Sequence, residues 1–337
     1  MKRIFGIFLC LFLLSGCGAA GEAAASTRYL TAMDTIMTLT AYGPNRDRAL
    51  EAAVAEIQRL DSLLSIGSDS SDSSDISRLN REKTAVLSPD AASLLGSALD
   101  LARDTQGVFD PTVYPLVKLW GFYDKDYHVP SRQELSQALD LVDYREVSLG
   151  EDGQACLGPG QQIDLGGIGK GFTSQRVTEL LRDAGITSAM VSLGGNIQCL
   201  GAKPDGSPWN IGIRDPFGED VYAAVRVTDK AVITSGGYER YFKDPDTGNI
   251  YRHILDPRTG FPAGKGLSSV SVITSDGTLG DGLSTALYIM GLEDATAYWQ
   301  AHREDFEAVF ITDSGTLYAT EGLRGSLTSH YDIHYLP

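Results

Sequence analysis

Beyond Gly185 the chain stops alternating and becomes strand-rich, and this constrains its fold more than any other feature. Short runs of β-branched and aromatic residues predict strands over 189–192, 197–200, 209–214, 222–227, 232–234, 251–255 and 269–274. Two helices, near 282–290 and 294–301, precede further strands at 306–311 and 317–320. A doubly wound parallel sheet would interleave a helix with nearly every strand. Clustered strands instead predict an α+β fold, with mixed, largely antiparallel sheets and flanking helices.

The first half supplies most of the helices. Residues 28–42 alternate as a strand, with Met37, Leu39 and Ala41 on one side of Thr38 and Thr40. Asn45 then caps a helix whose Ala49, Leu50, Ala53, Val54, Ile57, Leu60 and Leu64 fall on one face. Ser68 to Asp75 is a serine–aspartate run that lacks the glycine and closing glutamate of a helix–loop–helix calcium site, so it reads as a solvated loop. Ser88-Pro89 opens a second helix that ends near Gly107, and Ser131 with Glu134 makes a capping box for a third, to about Asp143. Short strands are expected around Val147, Ala155 and Ile163, and a helix over 169–184. No linker or internal repeat divides residues 28–337, so one compact catalytic domain is expected there.

The first residues read as a targeting segment. Lys2 and Arg3 precede an apolar run of 11 residues, Ile4 to Leu14, too short for a bilayer span of about 20 residues. Leu14-Ser15-Gly16-Cys17 looks like a lipobox, so residues 1–16 are expected to be removed and Cys17 lipidated, with 17–27 as a flexible tether. This places the protein outside the cytoplasm, lipid-anchored to a bacterial membrane. Cys156 and Cys199 then remain in the folded part, without redox or zinc spacing, and read as buried thiols that an oxidising compartment would permit to pair. The 44 acidic residues outnumber the 28 basic ones, giving a net charge of −16 that argues against nucleic acid as a partner. An anionic substrate would need local positive features.

Three segments carry chemistry. Ile163-Asp164-Leu165-Gly166-Gly167-Ile168-Gly169-Lys170-Gly171 sets an acid, then glycines and a lysine, before a helix, an arrangement that offers backbone N–H groups to phosphate. It is not a P-loop: Asp164 stands where that pattern needs its first glycine, and Gly171 follows the lysine in place of Ser or Thr. Nor is it a dinucleotide fingerprint, which needs glycine at Phe172. It serves equally as an anion cradle or as a tight structural turn. In the second segment, Gly280 to Thr285, Asp281 and Thr285 share a helix face and offer a carboxylate and a hydroxyl suited to Mg²⁺, although a capping role for Asp281 is the commoner use. The third is His253-Ile254-Leu255-Asp256-Pro257-Arg258-Thr259-Gly260, a turn in which His253 is either a general base or a satisfied core histidine. Leu119-Trp120-Gly121-Phe122 adds aromatics suited to stacking or to filling a core.

Taken in order, these segments resemble the FAD:protein FMN transferase family, the ApbE flavin transferases. The likeness starts at Met33-Asp34-Thr35 and passes Leu64-Ser65, Ser77-Arg78-Leu79-Asn80, Phe109-Asp110-Pro111-Thr112-Val113 and Leu119-Trp120-Gly121-Phe122. It continues through 163–171, Leu193-Gly194-Gly195-Asn196, Ser235-Gly236-Gly237 and His253 to Pro257, and closes at Asp281 to Thr285. The resemblance implies a T-fold-like architecture and a reaction. FAD and Mg²⁺ bind, and a threonine hydroxyl of an acceptor flavoprotein attacks the FMN phosphorus. AMP leaves, and FMN stays on the acceptor as a phosphoester.

Carried over by position, the resemblance implies that Asp281, Thr285 and the Gly167 carbonyl hold the metal. Asp164 and Lys170 contact FAD, with Lys170 facing the phosphates and acting in catalysis with Asp281. Met33, Trp120, Gly121, Phe122 and Ile254 line the nucleotide cleft. The acceptor would carry a Ser/Thr-Gly-Ala-Thr-type motif, as a subunit of a membrane redox complex could. Ser284 stands where some members have a second metal-binding aspartate, and Tyr114 where glycine is common. An FAD pyrophosphatase releasing FMN and AMP, or a lipid-anchored flavin-binding protein without turnover, are the alternative readings.

Overall fold

The structure, a computed structural model, describes residues 24–66 and 74–337. The expected signal segment, Cys17, most of the tether and most of the serine–aspartate run lie outside the described residues. The folded part starts earlier than expected. Ala25 to Thr27, read as tether, already belong to the first strand, Ala25–Ala32.

That strand pairs with Thr35–Tyr42 along its whole length, so 28–42 is a hairpin and not one strand. The two turn residues, Met33 and Asp34, both take left-handed backbone conformations, with φ of 47° and 56°. A two-residue hairpin turn of this hand normally recruits Asn-Gly, and Met-Asp gives no such signal.

Nine strands form the central sheet among the described residues, in the order Ala25–Ala32, Thr35–Tyr42, Ala189–Leu193, Asn196–Leu200, Ala231–Gly236, Leu267–Thr274, Glu307–Thr312, Leu317–Thr320, Ile333–Leu336. Every neighbouring pair is antiparallel except the last, which is parallel. The α+β expectation holds, with antiparallel pairing dominant. All eight residues of Leu267–Thr274 are buried, so both faces of the sheet are covered at its centre. One face packs a small sheet of Trp209–Arg214, Val221–Val227 and Leu327–Ser329. The other face carries the helices. Helix Arg46–Leu64 buries the expected apolar stripe there, with Leu50, Ala53, Ile57 and Leu60 fully enclosed. Asn45 does precede it, but in a left-handed conformation and without a capping side-chain bond.

A short helix, Asp75–Glu82, was not expected. Ser74 caps it by accepting from the Ser77 N–H at 3.0 Å, at the close of a run that composition alone reads as loop. The Ser131/Glu134 capping box is formed, although its helix, Arg132–Leu139, stops about one turn short of Asp143. Cys156 and Cys199 are both free thiols. Cys199 is buried, and that burial pushes its thiol up to about 12, whereas Cys156 is only half-buried.

Two helices that meet below the sheet position the chemistry. The first, Gly166–Asp183, is called here the glycine helix, and the second, Gly277–Met290, the aspartate helix. They pack with almost no side chain between them at one point: a Cβ on Gly171 would lie 2.1 Å from the Gly277 carbonyl oxygen and 2.5 Å from the Asp281 Cβ.

Candidate active site

The segment leading into the glycine helix is not the strand that the sequence implies. Ile163 and Asp164 lie in irregular backbone because other groups take their hydrogen bonds. The Asn80 side chain clamps Ile163 from both sides, donating to its carbonyl at 2.8 Å and accepting from its N–H at 2.7 Å. The Asp164 N–H donates to the Pro111 carbonyl at 2.8 Å. Pro111 is fixed in turn by Asp110, which accepts from the backbone N–H and hydroxyl of Thr112 and from the Tyr144 N–H. The Ser-Arg-Leu-Asn and Phe-Asp-Pro-Thr segments therefore hold the entry to the glycine helix. Burial is also the main force pushing the Asp110 carboxyl above the usual carboxylate range.

The glycine helix opens at Gly166, three residues before the expected start, so its glycines form its first turn and not a loop before it. Asp164 accepts from the Gly166 N–H at 2.7 Å. Its carboxyl keeps part of its surface open to solvent but is otherwise enclosed by protein. That enclosure raises its pKa, opposed by the Gly166 bond and the positive charges of Lys170 and Arg240.

The aspartate helix also starts early, at Gly277, and its cap is Asp276, whose side chain accepts from the Leu279 N–H at 3.0 Å. This removes the capping explanation for Asp281. Asp281 is instead buried inside the helix and accepts from the Gly171 N–H at 2.8 Å through Oδ2. Its Oδ1 has no hydrogen-bond donor among the described residues. In a regular helix the Gly171 N–H would serve the Gly167 carbonyl, so Asp281 competes for that donor from the neighbouring helix. Thr285 stands one turn beyond Asp281, and a Cβ on Gly167 would lie 3.7 Å from its hydroxyl. Gly167, Asp281 and Thr285 thus meet in one seam.

Lys170 leaves the glycine helix one turn after Gly166, its Nζ 3.4 Å from the Gly166 carbonyl. His253 faces the same space. Its Nδ1 lies 3.1 Å from the Arg240 carbonyl, which is an acceptor, so Nδ1 carries the proton and Nε2 presents a lone pair. Burial lowers the imidazole to about 4, the charges of Arg240 and Lys170 add to that, and the Arg240 carbonyl bond works against it. Asp164, Lys170, Arg240 and His253 therefore form one electrostatic group beside the seam.

A model of the ApbE family matches residues 33–310. The chain belongs to the ApbE family. Among its relatives, the FAD:protein FMN transferase of Treponema pallidum is 33% identical over 94% of this chain and 93% of its own. The ApbE protein of Thermotoga maritima superposes with a TM-score of 0.83 at 30% identity, covering 90% of this chain and 99% of that one. The apo flavinyl transferase ApbE of Pseudomonas stutzeri gives 0.79 at 29% identity, covering 90% and 97%.

The other positions carried over from the ApbE resemblance divide into two groups. Met33 sits on the tip of the first hairpin, its sulfur accepting from the Thr173 hydroxyl of the glycine helix at 3.7 Å and its N–H donating to Asp61. Gly121 has φ of 70°, and a Cβ there would lie 1.9 Å from the Asp126 carbonyl oxygen, so only glycine fits that loop. Phe122 and Ile254 are each 7% exposed, and the Phe122 ring lies 6.5 Å from that of His253. Trp120 differs from the expectation. It has no exposed surface, donates to the Gly260 carbonyl at 2.8 Å and packs with Phe242, Tyr251 and Phe261, so it supports the wall from behind.

Sequence reasoning passed over four residues here. Asn80 and Asp110 lay within quoted motifs without an assigned role. Arg240 carries no motif signal of its own, and only the hairpin that joins Tyr241–Lys243 to Ile250–Arg252 brings it to His253. Asn196 is 3% exposed, and its amide nitrogen has no hydrogen-bond partner among the described residues. It shares a sheet face with Gln198, which touches the glycine helix at Ser174.

Proposed function

We propose that this ApbE protein transfers FMN from FAD to a threonine hydroxyl of an acceptor flavoprotein, with Mg²⁺, and releases AMP. The observation that carries this reading is the seam in which Gly167, Asp281 and Thr285 meet beside Lys170. The donor set suits a hard cation: one carboxylate oxygen without a donor, one hydroxyl and one backbone carbonyl, with room for water and substrate oxygens. No cluster of three or more His, Cys, Asp or Glu that could hold a metal exists among the described residues. A single carboxylate fits a cation whose remaining ligands arrive with a pyrophosphate. Gly167, Asp281 and Thr285 would hold Mg²⁺, which would supply charge neutralisation on a pyrophosphate.

The chain's own groups do the rest. Lys170 and the positive end of the glycine-helix dipole face the phosphates, a local positive feature on an acidic protein. The threonine oxygen forms a bond to the FMN phosphorus as the bond from that phosphorus to the bridging oxygen breaks; the electron pair leaves with AMP and the hydroxyl proton is released to water. His253 offers Nε2 as a hydrogen-bond acceptor for the attacking hydroxyl. A pKa of about 4 makes it a weak base, suited to orienting the hydroxyl more than to storing its proton. Water attacking in place of threonine would give the pyrophosphatase outcome at the same site.

The test mixes protein, FAD, Mg²⁺ and an acceptor bearing a Ser/Thr-Gly-Ala-Thr-type motif. Covalent flavin fluorescence on the acceptor in a denaturing gel supports transfer, and AMP with free FMN on an unlabelled acceptor refutes it. Asp281→Ala is expected to abolish labelling while the protein stays folded. We also assign residues 1–16 to a lipoprotein signal and Cys17 to the lipid anchor of an extracytoplasmic enzyme. No helix of the described residues is long and apolar enough to cross a membrane. Detergent-phase partitioning that survives Cys17→Ser would overturn the anchor.

A further inference from the structure

Three hydroxyls meet behind the seam, and counting their protons fixes the direction of every bond between them. The Ser284 hydroxyl donates to the Asp281 carbonyl at 2.8 Å, and a carbonyl only accepts. Ser284 has one hydroxyl proton, now used, so its oxygen accepts in its 2.8 Å contact with Ser235. The Ser235 proton is then used as well, so Ser235 accepts from the Thr285 hydroxyl at 3.3 Å. The resulting chain runs Thr285 to Ser235 to Ser284 to the Asp281 carbonyl. Its effect is to draw the Thr285 proton back toward the sheet and leave the lone pairs of that oxygen free on the Gly167 side.

Burial separates the roles. Ser284 is fully buried and cannot reach a ligand, whereas Thr285 keeps exposed surface. Ser235 is held by the sheet, opposite Val270 in the register of Ala231–Gly236 with Leu267–Thr274. The acceptor that orients Thr285 is therefore anchored on a different element from Thr285 itself.

We propose that Ser235 is a positioning residue that orients the Thr285 hydroxyl toward a divalent cation, and that Ser284 acts through Ser235 and is not itself a ligand. The proposal rests on the cation reading of Asp281 and Thr285. Outer partners that orient metal ligands change affinity by about 10–100-fold when removed, and a loss in that range is expected here.

The experiment measures Mn²⁺ affinity from the loss of the free-ion electron paramagnetic resonance signal, without substrate. It also measures the Mg²⁺ concentration that half-saturates FAD binding, followed by flavin fluorescence without acceptor. Ser235→Ala is expected to weaken Mn²⁺ binding at least about tenfold and to raise the half-saturating Mg²⁺ by a similar factor. Ser235→Thr keeps the hydroxyl and is expected to stay within about threefold of wild type on the same scale. Ser284→Ala, which removes the last link, should fall between them. Wild-type Mn²⁺ affinity in folded Ser235→Ala overturns the proposal, even if its melting temperature drops, because the hydroxyls would then serve only the fold. An equal loss in Ser235→Thr and Ser235→Ala overturns it too, since volume and not the hydroxyl would matter. Equal Mn²⁺ binding by Asp281→Ala and wild type strikes a different target, the cation site itself.

Discussion

Gly171→Ala tests how tightly the two helices of the site are coupled. An added Cβ would lie 2.1 Å from the Gly277 carbonyl oxygen, and real Cβ contacts essentially never fall below 3.0 Å. The obstacle is backbone, so no rotamer change relieves it, and the helices must separate by about 1 Å. Overpacking of this kind costs about 1–3 kcal/mol, and each kcal/mol lowers the melting temperature of a chain this size by about 1–2 °C. The functional cost should be larger, because a misplacement of about 1 Å in a reacting geometry can cost about 10²-fold in rate. Separating the helices also pulls Asp281 Oδ2 away from the Gly171 N–H and Gly167 away from Thr285. Gly169→Ala is the control: it lies on the same helix, and its added Cβ meets no atom within 4 Å. Replacing a helical glycine there should stabilise by about 0.8–1 kcal/mol. Calorimetric melts and FAD titrations on both variants decide the matter. If Gly171→Ala loses stability but binds FAD and labels acceptor like wild type, the seam is structural and the site lies elsewhere. If it loses neither, the close approach itself is refuted.

Two further outcomes follow from the same geometry. The folded-state pKa of His253, about 4, lies below its ordinary value of 6.5, so the unfolded chain binds more protons between those values and stability falls as pH drops through that window. His253→Gln should leave the melting temperature at pH 7.5 nearly unchanged and flatten its decline toward pH 4.5, by up to about 3 kcal/mol; parallel curves for the two proteins would show that the buried histidine is not responsible. The double variant Met33→Asn, Asp34→Gly gives the first hairpin residues suited to its left-handed turn, where an ordinary side chain costs about 1–2 kcal/mol, and should stabilise that turn. It should also weaken FAD binding by removing the Met33 contact with the glycine helix, and unchanged FAD affinity would take Met33 out of the cleft.

What the sequence reveals and hides divides along physical lines. Amphipathic helices, the capping box and the strand-rich second half are written in local periodicity, so helix 46–64 and strands such as Trp209–Arg214 are legible directly. The hairpin turn at Met33 and Asp34 is not, because its left-handed residues violate local preference and are held by contacts with Asp61 and Thr173, far along the chain. The ends of the two site helices are misread for the same reason. Glycines signal a loop, and only the partner helix shows that Gly171 and Gly277 are there to permit close approach. Asp281 is ambiguous between cap and ligand in the sequence because its neighbours fit both; in the structure the cap is Asp276, which the sequence does not single out.

The same division explains how an acidic chain presents a site for phosphate. The net charge of −16 is spread over the molecule, and in water at physiological salt its field fades within about 8 Å. What acts at the seam is a short list: Lys170 and Arg240, whose charges are felt by both Asp164 and His253, and the N-terminal turn of an 18-residue helix. Against them stand Asp164, whose raised pKa weakens its hold on negative charge, and Asp281, which gives one oxygen to a backbone donor. Of the two carboxylates that would oppose an anionic substrate, one has its pKa raised by burial and the other spends one oxygen on a backbone donor. The acidity of the surface and the affinity of the site are separate quantities, set at different distances.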